Sequence, residues 1–179
     1  MAEYVAWLRG INLGGRTVKM DRLRYLLESK GFQQVRTVLA SGNVVLESKS
    51  RRPAAVRAKM EKAIQAAFGF EVPVIVRSDE EILALVKESP FKKVEVTPQT
   101  RLYVTFLSKP VRTKLKLPYT HAGSGFRILK VTPGHVIGVG TLSTTSGTTD
   151  AMRVLAQEFG SEITTRNWNT IQKVAKLLE

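Results

Sequence analysis

Short apolar runs and amphipathic segments alternate along this chain in a fixed order, and no other feature of the sequence restricts its fold as strongly. Through residues 1–78 the spacing of apolar positions predicts strand, helix, strand, strand, helix and strand. The turn-forming residues Ser41-Gly42-Asn43 predict a hairpin between the second and third strands. Pro53 and Gly69 are typical of the start and end of a helix, and Pro73 predicts an edge position for the fourth strand.

The same order returns in the rest of the chain. Ser78-Asp-Glu-Glu81 has the pattern of a capping box and predicts a connecting helix. It is followed by three predicted strands, of which the first two are joined by a short basic segment after Pro110 that we count as the first helix of the order. A helix, a strand and a last amphipathic helix come next. Because β-α-β-β-α-β is the order of the ferredoxin-like split unit, we predict an α+β protein of two tandem ferredoxin-like units with antiparallel sheets. The predicted domains are residues 1–78, the first unit, and residues 79–179, the connecting helix, second unit and C-terminal helix.

Composition excludes several kinds of functional site. The 179 residues include no cysteine and only two histidines, which rules out a disulfide framework, a zinc-thiolate site and an all-histidine zinc site. Motifs of metalloproteases and of serine hydrolases are missing as well. We therefore expect no metal and no cofactor, and we assign no catalytic residue; a non-enzymatic role is favoured over an enzymatic one, which stays open. The start lacks a basic leader before an apolar run, and no stretch has the length and apolarity of a membrane helix, so we expect a cytoplasmic protein without a membrane partner; the oligomeric state is left open.

Two glycine-bearing bends of the first unit form a candidate ligand site. Arg9-Gly-Ile-Asn-Leu-Gly-Gly15 follows the first strand, and glycines there can turn backbone N–H groups toward an anion. The second bend is the hairpin of Ser41 and Asn43. The ends of strands 1 and 2 lie at one edge of a split unit, so we expect the two bends to be neighbours. Tight-turn chemistry is the alternative explanation for each bend. The candidate ligand-binding residues of the two bends are Arg9, Asn12, Gly14, Gly15, Ser41 and Asn43.

A second candidate group lies near the C-terminus, where Thr164-Thr-Arg-Asn-Trp-Asn-Thr170 is dense in polar side chains. A cap of the last helix explains either asparagine, and an anchor against the core explains the tryptophan. An arginine beside a tryptophan also presents a charge and a stacking face to a ligand. The candidates are Arg166, Asn167, Trp168 and Asn169.

Positive charge is concentrated in one part of the chain. The net charge is +13, of which residues 91–130 contribute +8. A localised basic patch is typical of proteins that bind a polyanion and release its counterions, although a solvated surface is the more common reason for a run of charges. The candidate nucleic-acid patch comprises Lys109, Arg112, Lys114, Lys116, Arg127 and Lys130.

Three of these segments carry a resemblance to a known family. Arg9-Gly-Ile-Asn-Leu-Gly-Gly, Ser41-Gly-Asn-Val-Val and Thr165-Arg-Asn-Trp-Asn-Thr, in this order, resemble the uncharacterised bacterial family called domain of unknown function 1697. The resemblance extends over nearly the whole chain and implies two ferredoxin-like α+β units, but it implies no activity. Relatives tend to have a Ser-Lys pair after the second unit's glycine hairpin, whereas this chain has Gly140-Thr-Leu-Ser143 and lacks the lysine.

Three functional hypotheses follow. The leading one is a non-enzymatic protein that binds phosphate-bearing partners, with nucleic acid favoured. The second is an enzyme that acts on a nucleotide or another phosphorylated small molecule at the edge formed by Arg9, Asn12, Ser41 and Asn43. The third is an interaction module without a ligand, in which the three motifs mainly hold the two units together.

Overall fold

The computed structural model describes residues 1–142 and 148–179, so Ser143 lies outside the described residues. Within these ranges the protein is α+β, with two antiparallel sheets and five helices. The chain divides into two compact units, Met1–Glu88 together with Gln172–Glu179, and Ser89–Ile171. The helix that follows Ser78 therefore groups with the first unit, whereas the predicted boundary places it in the second domain.

The first unit contains one four-stranded sheet in the order β2-β3-β1-β4, with antiparallel neighbours throughout. Pro73 directly precedes β4, and β4 lies at the sheet edge as expected. The reciprocal bonds of the predicted capping box are present between Ser78 and Glu81 at the start of α3. The elements are β1 (Ala2–Leu8), α1 (Met20–Ser29), β2 (Gln33–Val38), β3 (Asn43–Ser48), α2 (Pro53–Phe68), β4 (Val74–Ser78) and α3 (Asp79–Glu88).

The second unit contains a five-stranded sheet in the order β6-β7-β8-β5-β9. Its last four strands repeat the order of the first sheet position by position, with β6 added at one edge. The last helix, α5, begins in this unit and ends among the residues that group with the first unit. The elements are β5 (Thr100–Leu107), β6 (Tyr119–Thr120), β7 (Arg127–Val131), β8 (His135–Thr141), α4 (Thr148–Phe159), β9 (Ile163–Asn167) and α5 (Trp168–Leu178).

The prediction of a helix between the first two strands of the second unit is wrong. Residues 108–118 contain no helix, and their exposure alternates from Val111 to Tyr119. Val111, Leu115 and Leu117 pack against the core of this unit, while the basic residues between them face solvent. A period of two places side chains on opposite sides of an extended chain and cannot form the single apolar face of a helix. The flanking prolines, Pro110 and Pro118, add to this preference.

Candidate functional site

The two glycine-bearing bends of the first unit lie side by side at one end of its sheet. The backbone N–H of Leu8 donates to the carbonyl of Gly42 at 2.8 Å, and the side-chain Nδ2 of Asn12 donates to the carbonyl of Ala40 at 2.5 Å. A Cβ on Gly42 would lie 2.7 Å from Leu8 Cβ and 2.7 Å from Ile11 Cδ1, so the bends approach as closely as a glycine permits. We call this contact the rim.

Asn12 and Asn43 use their carboxamides to hold the rim together. Asn12 accepts a hydrogen bond from the Val18 N–H at 2.8 Å and donates to the carbonyl of Val18 at 3.1 Å, in addition to its bond to Ala40. Asn43 is completely buried, and its Nδ2 donates to the carbonyl of Val38 and to Ser41 Oγ. Both carboxamides are therefore directed at the protein's own backbone and turn residues rather than outward to a ligand.

The other predicted rim residues are more accessible. Gly14 and Gly15 are exposed, with φ of +59° and +88°, and no heavy atom lies within 4 Å of where their Cβ atoms would be. Arg9 is half-buried; its N–H donates to the carbonyl of Pro73, and its guanidinium makes no hydrogen bond to any residue that the structure describes. At the rim, a ligand could therefore contact the Arg9 guanidinium and the exposed backbone of Gly14 and Gly15. The predicted set of converging side chains is not present.

In the C-terminal motif, the structure separates Arg166 from the residues that follow it. Arg166 Nη1 donates to Thr164 Oγ1 at 2.8 Å and to the carbonyl of Thr165 at 3.1 Å. Burial lowers the pKa of the Arg166 guanidinium to about 10, because the charged form loses hydration. The Arg166 guanidinium therefore hydrogen-bonds to residues of its own strand.

Asn167, Trp168 and Asn169 line a cavity of about 270 Å³ in the second unit. No capping hydrogen bond from either asparagine to α5 is found among the described residues. The Trp168 ring packs edge-on against Phe91, with the ring centroids 5.2 Å apart. The other lining residues are Val96, Thr100, Arg101 and Leu102. We call this space the Arg101 cavity.

In the sequence, Arg101 stands out only as part of the positive charge of residues 91–130. Its proximity to the asparagines depends on the antiparallel pairing of β5 with β9, in which Tyr103 is opposite Asn167. Arg101 and Asn167 are 66 positions apart in sequence, so no local pattern joins Arg101 to the motif. Only the register of the two strands would have identified it.

Three cations of the predicted patch form a row on one side of the extended segment. Arg112, Lys114 and Lys116 are exposed at alternate positions; Thr113 and Leu115 between them are less exposed, and Leu115 packs against the core. Alternate residues of an extended chain are about 6.6 Å apart, so the row spans roughly 13 Å. We call these three residues the cationic row.

The remaining patch residues differ in their surroundings. Arg127 is exposed and pairs with Thr120, the next exposed position beyond Pro118, so it lies beside the continuation of the row. Lys130 is exposed on the same face of the sheet as Arg127, because a bulge between Ile128 and Lys130 absorbs the odd residue. Lys109 instead forms an exposed ion pair with Glu162, at 3.1 Å.

In the described part of the chain, no group of three or more histidine, cysteine, aspartate or glutamate side chains is placed to hold a metal ion. Among those residues there is likewise no helix with the length and apolarity needed to cross a bilayer. His121 and Ser124 contact each other at 3.0 Å within a turn, where the serine hydroxyl also accepts from the Phe126 N–H.

Comparisons with known proteins bear on the family and the fold. The solved structure of the conserved bacterial protein SP0830 from Streptococcus pneumoniae aligns with 99% of this chain and 99% of its own, at 23% identity and a TM-score of 0.72, which shows a shared fold. No curated protein gives a significant match. The family model described as a protein of unknown function, DUF1697, matches residues 1–124, which include both bends of the rim and the cationic row. The chain belongs to this DUF1697 family.

Proposed function

We propose that this protein binds nucleic acid through the cationic row. The observation that carries the proposal is the linear arrangement of Arg112, Lys114 and Lys116 on one side of an extended segment. A row of roughly 13 Å cannot converge on a single phosphate group, whereas a polymer with a phosphate at every nucleotide can contact each cation in turn. The row therefore suits a polyanion better than a small anion.

The apolar residues of the segment supply the rigidity that such a contact needs. Val111, Leu115 and Leu117 pack against the core, so the backbone between them is held before any partner arrives. A flexible basic tail would lose conformational entropy on binding, and an anchored segment avoids much of that cost. The side chains of the three cations can then adjust to the phosphates while the backbone stays in place.

The surroundings of the row add to its positive potential. No acidic residue lies between Val111 and Thr120, and Arg127 extends the exposed cationic surface across the β6–β7 pair. Contacts of this kind reach phosphates rather than base edges, so we expect weak dependence on sequence. A cytoplasmic location, where nucleic acid is accessible, belongs to the same proposal.

A ferredoxin-like topology for both units is also part of our proposal. The order β2-β3-β1-β4, with α1 after β1 and α2 after β3, supports it for the first unit. The matching order β7-β8-β5-β9 supports it for the second, although residues 108–118 replace a helix there with the extended segment. The enzyme hypothesis has less support, because Asn12 and Asn43 direct their carboxamides at the protein.

Fluorescence anisotropy with a labelled single-stranded oligonucleotide and the matching duplex tests the proposed function. The row variant combines Arg112→Gln, Lys114→Gln and Lys116→Gln, and the control combines Lys49→Gln, Arg51→Gln and Lys62→Gln, which are exposed residues of the first unit. Both variants lose the same net charge. We expect the row variant to bind at least about tenfold more weakly and the control to change little. Equal losses in the two variants would contradict a localised binding surface.

A further inference from the structure

We propose that the Arg101 cavity binds a nucleoside monophosphate, at a site distinct from the cationic row. The cavity combines three chemical features in one place: a guanidinium from Arg101, carboxamides from Asn167 and Asn169, and the indole of Trp168. These features correspond to the phosphate, the hydrogen-bonding base edge and the flat base surface of a nucleotide. The proposal does not depend on nucleic-acid binding by the row.

Several polar groups of the residues that line the cavity form no hydrogen bond with the described part of the protein. Neither the carboxamides of Asn167 and Asn169 nor the indole N–H of Trp168 forms a hydrogen bond with any residue in the described ranges. Each carboxamide offers one acceptor and two donors, which is the arrangement that pairs with the edge of a base. Trp168 is only partly buried, so its indole is not enclosed on all sides.

Arg101 is held in position while part of its guanidinium stays available. Its Nη1 donates to the carbonyls of Pro98 at 2.8 Å and Thr100 at 3.0 Å. No described residue accepts a hydrogen bond from its Nε or Nη2, which are the atoms needed for a bidentate phosphate contact.

The charges around Arg101 favour an anion. The wall of the cavity includes no acidic side chain. Asp150 borders a much smaller cavity that Arg101 also lines, and this aspartate forms an ion pair with Arg153 at 3.7 Å. The acid that borders this neighbouring cavity is thus already paired with another arginine.

The size of the cavity distinguishes a nucleotide from a bare anion. Its volume of about 270 Å³ is close to the lower end of the range for small-molecule sites, about 300–1,000 Å³. One water occupies about 30 Å³ in the liquid, and inorganic phosphate is only a few times larger than a water. Inorganic phosphate alone would therefore leave most of this cavity empty. A nucleoside monophosphate fills it with its base and leaves the ribose near the mouth, beside the exposed Val96.

Titration calorimetry with the common nucleoside monophosphates, the matching nucleosides and inorganic phosphate tests this site. We expect at least one monophosphate to bind about tenfold more tightly than both its nucleoside and inorganic phosphate. The variant Asn169→Ala should weaken that binding about tenfold, and Arg101→Gln should remove the preference for the phosphorylated form. The row variant should bind the monophosphate as the unmodified protein does, which separates this proposal from the proposed function.

Nuclear magnetic resonance supplies a readout at the cavity itself. The chain has two tryptophans, and Trp7 is fully buried, so the indole N–H signal of Trp168 should shift on titration while that of Trp7 stays in place. Absence of binding by every monophosphate would overturn the proposal. So would equal affinity for inorganic phosphate, or unchanged affinity in the folded Asn169→Ala protein.

Discussion

Gly42 is the residue at which the rim tolerates least change. It has φ of +85°, and an added Cβ would clash with the Cβ of Leu8 as well as the tip of Ile11. We therefore expect Gly42→Ala to lower the free energy of unfolding by about 3 kcal/mol, from backbone strain and overpacking together. Gly15→Ala is the matched control, since its φ is +88° but its surroundings are open, and it should cost only about 1 kcal/mol. Urea denaturation measures both, and equal losses would contradict a packed rim.

Asn12 provides a second test at the same place. Asn12→Asp preserves the shape, the tolerance of positive φ and the acceptor for the Val18 N–H, but it removes the donor to the carbonyls of Val18 and Ala40. We expect a loss of about 2 kcal/mol in the free energy of unfolding at neutral pH, because a carboxylate would then face two carbonyl oxygens. Leu13→Ser, at an exposed leucine of the same bend, should cost clearly less. A stable Asn12→Asp protein would return Asn12 to the list of ligand candidates.

The same residues show what sequence can resolve at this scale. Asparagine and glycine are suited both to tight turns and to anion binding, so their presence in the two bends predicts neither role alone. The meeting of the bends follows from strand order and was foreseeable. The direction of the Asn12 and Asn43 side chains depends on which carbonyls surround them, and no sequence pattern gives that information.

At the scale of elements, the extended segment makes the most specific prediction. Replacing Leu115 and Leu117 by serine leaves every cation of the row in place but removes the contacts that anchor the segment to the core. We expect nucleic-acid affinity to fall several-fold, because the freed segment must be ordered on binding. Trypsin, which cleaves after lysine and arginine, should also cut this segment faster. Leu13→Ser, at an exposed leucine of the first unit, is the control; unchanged affinity in the double variant would show that anchoring is unimportant.

Most elements were predictable because their ends carry clear chemical signals. Pro53, Gly69 and the Ser78–Glu81 capping box mark helix ends where the structure has them. At the start of α1, Lys19 is at the cap position, and Asp21 lies in the first turn, where it pairs with Arg24. The error over residues 108–118 came from extending the order of the first unit to the second, although the alternation of apolar and basic residues from Val111 to Leu117 favours an extended chain.

At the scale of the whole molecule, the features of the sequence that determine the fold differ from those that determine the net charge. The alignment with the pneumococcal protein extends over the full chain at low identity, so the architecture depends on apolar patterning that many sequences satisfy. A net charge of +13 has no part in specifying such a fold, and it affects solubility, association and partner choice instead. In the cationic row, three of these positive charges are regularly spaced along one side of an extended segment.

The salt dependence of nucleic-acid binding tests this account most directly. Each phosphate contact contributes about 0.9 to the slope of log affinity against log salt on a duplex, and about 0.7 on a single strand. For the unmodified protein we predict a linear decrease between about 50 and 200 mM salt, with a slope that becomes shallower by about 2 to 3 in the row variant and stays the same in the control variant. A slope that is identical in all three proteins, or no binding at low salt, would contradict the account.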